Sequence, residues 1–252
     1  MFFVELLRIR TGLAWSLVGC ALVIIGTAIA ALACRCTSVD TSDAPLVLSE
    51  VAWAAALGGA IFASVFGGSL SYENDDHLPL TWTKPIGRTA QALGIMALDA
   101  LAVVVVFVLL FAAGWVVASI LGTHAIPWTS DGRSWLTYVR ALAFPLAWFG
   151  LTQALTAGYQ GGKCGVIIGP MWPVLEGLFA LTLLPLSAPL LTTLKILNLA
   201  NPINYFPFWT MDERFNVRYA FGYGISIDII ALALIAFVGI GVAAARWRRV
   251  EA

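Results

Sequence analysis

ALGIMALDALAVVVVFVLLFAAGWVVASIL, residues 92–121, decides the fold. The stretch carries a single charge, Asp99, and no proline. A helix needs about 20 apolar residues to cross the hydrocarbon core of a bilayer, whereas soluble strands run to about 10 residues at most. This stretch therefore reads as a membrane-spanning helix.

The rest of the chain agrees. Of its 252 residues 60% are hydrophobic and 11% are charged, and mean hydropathy is +0.90. Soluble domains carry about 25% charged residues. The formal net charge is zero, which gives a nucleic-acid partner no electrostatic support. The length suits one membrane domain over 1–252 and leaves no room for a second, soluble catalytic domain.

Five further apolar stretches flank this one. The spans are expected at about 13–33, 48–70, 92–121, 139–160, 165–190 and 222–245. Six is even, so both termini share a side. On that side fall Arg8, Arg10, Lys84, Arg88, Lys163, Arg246, Arg248 and Arg249; on the other fall Arg35, Arg133, Arg140, Lys195, Arg214 and Arg218. The eight-to-six bias, with clusters at both tails, puts the termini in the cytoplasm. Residues 1–10 can separate apolar from charged residues on a short interfacial helix. Ala31-Leu32-Ala33-Cys34 follows an apolar run longer than the 7–15 residues or so of a cleaved signal, so the run is read as a span.

Catalytic constellations are missing. His77 and His124 fall on opposite sides, and Cys20, Cys34, Cys36 and Cys164 lack zinc-type spacing, so no metal site is expected. Gly161-Gly162-Lys163-Cys164 has Ala157 where a phosphate loop needs its first Gly and Cys164 where it needs Ser or Thr. Gly67-Gly68-Ser69-Leu70-Ser71 lacks the second Gly of a nucleophile elbow and reads as a site of close helix contact. Three acids lie within spans: Asp99, Glu176 and Asp228. Glu176 is deepest, roughly 16 Å in at about 1.5 Å per residue, and follows the helix-disturbing Pro170-Met171-Trp172-Pro173. Two roles stay open for it: a polar or proton-carrying contact in a transport route, and a protonated carboxyl bonded to a neighbouring helix. For Asp99 and Asp228, nearer the span ends, the bonded carboxyl is the expectation.

The polar chemistry gathers instead in SYENDDHLPLTWTKPIGR, residues 71–88, between the second and third spans. Leu78, Leu80 and Trp82 offer an apolar edge; Glu73, Asp75, Asp76, Lys84 and Arg88 offer charge. By composition this is a solvated loop. Its pattern, however, resembles the permease family of type-2 ABC transporters. In that family a Glu follows the second span and a Pro-Ile/Val-Ser-Arg element opens the third; here these are Glu73 and Pro85-Ile86-Gly87-Arg88, with Gly87 in place of the Ser. Asn74-Asp75-Asp76-His77 departs from the family's Gly-containing stretch. A second likeness lies in Asn201-Pro202-Ile203-Asn204-Tyr205, which stands in an apolar but proline-broken region after the fifth span.

The resemblance implies an all-α integral membrane protein. It has six transmembrane helices, a cytoplasmic coupling helix in loop 71–89 and an outer re-entrant helical hairpin over 191–219. Loop 71–89 would dock on a separate ATPase subunit through Glu73, Asp75, Asp76, Leu78, Leu80, Trp82, Lys84, Pro85 and Arg88. Asn201, Pro202 and Tyr205 would belong to the outer hairpin, and Trp53, Phe62, Phe66 and Glu176 are candidates to line the translocation path. The chain itself is expected to bind no cofactor and to be no enzyme; ATP and Mg would sit on two copies of the ATPase partner. A second permease chain, identical or different, and membrane lipid complete the expected partners, in a bacterial inner membrane. The function implied is export of a hydrophobic or amphipathic compound such as a drug, lipid or peptide. Two alternatives stand beside it: a proton-coupled secondary transporter using Glu176 and Asp99, and a membrane assembly subunit without transport.

Overall fold

Residues 88–120 form one unbroken helix in the computed structural model, which describes residues 9–11, 13–22, 24–26, 29, 48–71, 87–120, 134–159, 199–205, 209–211, 217–219 and 224–249. In chain order the helices are α1 (Ile9–Gly26), α2 (Leu48–Phe66), α3 (Arg88–Ile120), α4 (Ser134–Thr156) and α5 (Ile225–Trp247). At about 1.5 Å per residue, the 33 residues of α3 reach roughly 50 Å, well beyond the ~30 Å hydrocarbon core. Four of the five, α1, α2, α3 and α5, are long and apolar enough to cross a membrane. α4 has the length but is less apolar, because it holds Arg140, Gln153 and four Thr or Ser residues. The expected span over 165–190 lies outside the described residues.

The direction of each helix follows from its contacts. Along α2 and α4, Trp53 meets Arg140, Gly59 meets Pro145, Ser64 meets Trp148 and Ser71 meets Tyr159, so the two run parallel. Along α4 and α5, Arg140 meets Asp228, Gly150 meets Ala236, and Ala154 meets Arg246, so these are parallel too. Against α2, α3 runs the opposite way: Val51 faces Gly114 and Gly58 faces Leu110. α4 is thus the central helix, packed on α5 and α2, while α3 closes on α2.

Small residues let the backbones approach. Ala52, Ala55, Ala56, Ala60 and Ala63 form the buried face of α2, and Ala141, Ala147 and Ala157 that of α4. Between helices in lipid the hydrophobic effect gives no net drive, so close packing and hydrogen bonds must supply the stability. The faces turned outward are apolar. α5 presents Ile230, Leu234, Phe237 and Val238, with Phe237 74% exposed, and α3 presents Leu101, Val105 and Val108. In water such faces would be a liability; against acyl chains they are the expected surface.

Two expectations change here. Arg140, counted among the outer-side cations at the edge of the fourth span, lies well inside α4, which starts at Ser134. The helical hairpin expected over 191–219 is not shown: the described residues of that region include a 3-10 turn at Pro202–Tyr205 and a ribbon of β1 (Trp209–Met211) and β2 (Val217–Tyr219), so 209–211 and 217–219 are strand and not helix. The strands are antiparallel, with Trp209 opposite Tyr219 and Thr210 opposite Arg218. Pro202 lacks a helix donor, and Trp209, Thr210, Val217 and Tyr219 are aromatic or β-branched, which favours strand. Apart from this ribbon, the described elements are helical.

Candidate functional site

Two buried polar clusters stand at the two ends of the bundle, both built on α4. The first forms where α2 breaks. Gly67 N donates to Ala63 O at 2.7 Å, the last regular helical bond; Gly68 and Ser71 then make a looser turn. A Cβ on Gly67 would stand 2.7 Å from both Ala63 O and Thr152 Cβ, so the corner exists only because the residue is glycine.

The break leaves carbonyls without helical donors, a state costing several kcal/mol each where water is absent. Side chains of α4 meet them. Gln153 Nε2 donates to Phe66 O at 3.3 Å and to Ser69 Oγ at 2.9 Å. Thr156 Oγ1 donates to Gly67 O at 2.8 Å, with Thr152 O also at 2.8 Å. One turn earlier Trp148 Nε1 donates to Ser64 Oγ at 2.8 Å, and Ser64 passes its own hydrogen to Ala60 O at 3.0 Å. Ser71 Oγ donates to Tyr159 O at 3.3 Å. From α5, Arg246 Nη1 donates to Ala154 O at 2.8 Å and caps the end of α4. The ends of α2, α4 and α5 are therefore tied together by neutral hydrogen bonds and one guanidinium.

The second cluster lies at the opposite end. Arg140 Nη2 sits 2.9 Å from Asp228 Oδ2 on α5 and donates to Tyr205 O at 2.8 Å. The guanidinium carbon lies 5.3 Å from the centre of the Trp53 ring on α2, within cation–π range. The Asp228 side chain is 1% exposed and that of Arg140 12%. Gly224, at φ +104°, turns the chain into α5 one turn before Asp228. The 3-10 segment that covers the pair holds itself together: Asn201 Oδ1 accepts from Ile203 N at 3.0 Å, and Tyr205 OH donates to Leu199 O at 2.8 Å.

Of the residues singled out in the sequence, Trp53, Asn201, Pro202, Tyr205 and Asp228 come together at this end. Phe62 and Phe66 stack along α2 at 6.5 Å between ring centres, away from the charged pair; Phe66 is buried and Phe62 half-buried. Asp99 is fully buried in α3. Arg88 opens α3. Glu73, Asp75, Asp76, Leu78, Leu80, Trp82, Lys84, Pro85 and Glu176 lie outside the described residues. The sequence reading missed Arg140, Gln153 and Thr156. The four-residue spacing of Trp148, Thr152 and Thr156 was the available signal for a polar helix face.

Among the described residues no group of three His, Cys, Asp or Glu side chains is placed to hold a metal. What the two clusters do is mechanical: each joins α4 to its neighbours at one end of the bundle. No known family model matches the chain, and neither a curated protein nor a solved structure matches it.

Proposed function

We propose that the chain is the membrane-spanning permease subunit of an ATP-driven transporter of the type-2 ABC class, exporting a hydrophobic or amphipathic compound. The observation that carries this reading is the corner at Gly67–Ser71. The polar stretch 72–86 follows this corner directly in the sequence, and Ser71 and Gln153 tie the corner to α4. A push on the stretch from a docked ATPase would be felt at once by α2 and α4. Glu73 and Pro85-Ile86-Gly87-Arg88 supply the sequence pattern for such docking. The chain also leaves α4 at Tyr159, at one end of the bundle, and is back beside Arg140, at the other end, by Tyr205. This is in keeping with a further crossing in between and so with six spans and both termini on one side; the basic residues at the two tails make that side the cytoplasmic one in this reading. Binding of ATP to two partner ATPase subunits would shift the balance between two arrangements of a pair of such permeases.

The test is purification of the tagged chain from its native host in mild detergent, with identification of co-purifying chains and an ATPase assay. A stoichiometric ATPase, lost or uncoupled by Glu73→Ala, is expected. A chain that purifies alone, hydrolyses nothing and ignores the substitution overturns the reading.

One observation favours a second reading, proton-coupled transport: Asp99 is fully buried twelve residues into α3, and ionisable groups at such positions often relay protons. That reading expects transport to persist without ATP, to collapse with the proton gradient and to be abolished by Asp99→Asn.

A further inference from the structure

We propose that residues 199–205 form a strap latched across one end of the bundle by Arg140, and that Asp228 aims the guanidinium that holds it. The strap carries two bonds of its own: an Asx turn (Asn201 to Ile203) and the Tyr205 hydroxyl bond to Leu199. Asn201, Pro202 and Tyr205 are buried against the helices, and Ile203 packs on the core.

One nitrogen serves both the strap and α5. Arg140 Nη2 serves the Tyr205 carbonyl at 2.8 Å and lies 2.9 Å from Asp228 Oδ2. A guanidinium on a long side chain needs something to aim it. Here the centre of the Trp53 ring lies 5.3 Å from the guanidinium carbon, and the Asp228 carboxylate, in the first turn of α5, holds the group by charge at 2.9 Å without a hydrogen bond. Hydrogen bonds with one charged partner are roughly twice as strong as neutral ones. The strap thus depends on a charge located on another helix. Neutralising Asp228 removes the negative charge 2.9 Å from Nη2, which favours the guanidinium swinging toward water and releasing the Tyr205 carbonyl. The strap sits at the end of the bundle opposite the Gly67–Ser71 corner, and α4 carries both attachments. Regarding the strap as the far gate of a transport route rests on the permease reading; the latch itself is a property of this chain alone.

The experiment uses the full chain in lipid nanodiscs, where both faces meet the reagent. Cys20, Cys34, Cys36 and Cys164 are replaced by Ser, Ile203→Cys reports on the strap, and Ala157→Cys, buried at the other end of α4, reports on the bundle. The rate of reaction with a membrane-impermeant maleimide is measured for each. Asp228→Asn is expected to raise the rate at Ile203→Cys by about tenfold or more, as loss of a charged hydrogen bond opens a local segment. The rate at Ala157→Cys should stay unchanged. Asp228→Glu, which keeps the charge, should leave the strap protected. An unchanged rate at Ile203→Cys overturns the latch. Equal acceleration at both reporters also overturns it, since the pair then holds the bundle and not the strap. Acceleration by Asp228→Glu as large as by Asp228→Asn overturns it too, by assigning the effect to packing. These outcomes are read without any transport assay, so failure of the permease reading leaves them intact.

Discussion

Gly150 on α4 and Gly239 on α5 meet backbone against backbone: a Cβ on Gly150 would stand 2.6 Å from Ala236 O and 2.8 Å from its Cα. The obstacle is main chain, which cannot rotate aside. Gly150→Ala is therefore expected to destabilise the bundle by about 1–3 kcal/mol, the usual cost of overpacking. Gly241→Ala, where a Cβ meets nothing within 4 Å, should be neutral or slightly stabilising, since Ala is about 1 kcal/mol the better helix former. Unfolding in mixed micelles with increasing SDS measures both.

At the break in α2, Gly67→Ala should be at least as harmful. Its Cβ would meet Ala63 O and Thr152 Cβ, each at 2.7 Å. Relief of the first requires the turn of α2 itself to unwind, and relief of the second requires α2 and α4 to part. A shift of the unfolding midpoint equal to that of Gly241→Ala would count against the corner.

Thr156→Val changes shape little but removes the donor to Gly67 O. Bonds between helices in membranes average ~0.6 kcal/mol and reach ~1.7. The upper end is expected here, because the substitution orphans a buried carbonyl. Combined with Gln153→Leu, the loss should be less than additive if the two side chains serve one corner. A double-mutant cycle on unfolding free energies tests this.

Arg140→Leu leaves Asp228 buried beside no described cation. Breaking one partner of a buried pair costs about 3–5 kcal/mol, whereas replacing both by apolar residues is often neutral. The double variant with Asp228→Leu should therefore recover most of the stability lost by the single one. Equal losses in the single and double variants would mean that the pair itself is the source of stability.

The outward faces make an optical prediction. Trp15 is 68% exposed and Trp115 53%, whereas Trp148 and Trp247 are buried. In bilayers with brominated acyl chains, single-tryptophan variants retaining Trp15 or Trp115 should be strongly quenched, and the Trp148 variant only weakly. Reversed quenching would mean that these faces are covered by protein.

Membrane-spanning length was legible in the sequence for a simple reason. A run such as 92–121 is apolar on every face, so no partner has to be known to read it. The Gly67-Gly68 pair was legible as a close contact because small residues at the end of a membrane span let a neighbouring backbone approach. Arg140 was not. At the edge of an apolar run, a cation that anchors a span in water and one buried against a carboxylate look the same. What separates them is Asp228, 88 residues further along. Gln153 escaped notice likewise, because its partners, Phe66 O and Ser69 Oγ, belong to a helix break that only the fold creates. The strands at 209–211 and 217–219 were hidden by an expectation of helix drawn from resemblance, although their aromatic and β-branched residues favour strand locally.

The modest apolarity of α4 has a consequence for how the protein is made. A helix carrying Arg140, Gln153 and Thr156 partitions into lipid poorly by itself, since each polar group must find a partner or stay near water. The groups that satisfy Gln153 and Thr156 lie on α2 and emerge from the ribosome well before them. Asp228, the counter-ion of Arg140, is synthesised last. During biogenesis α4 must therefore enter a membrane already occupied by α2 and α3, settle first by its C-terminal half, and hold its arginine near the water until α5 arrives.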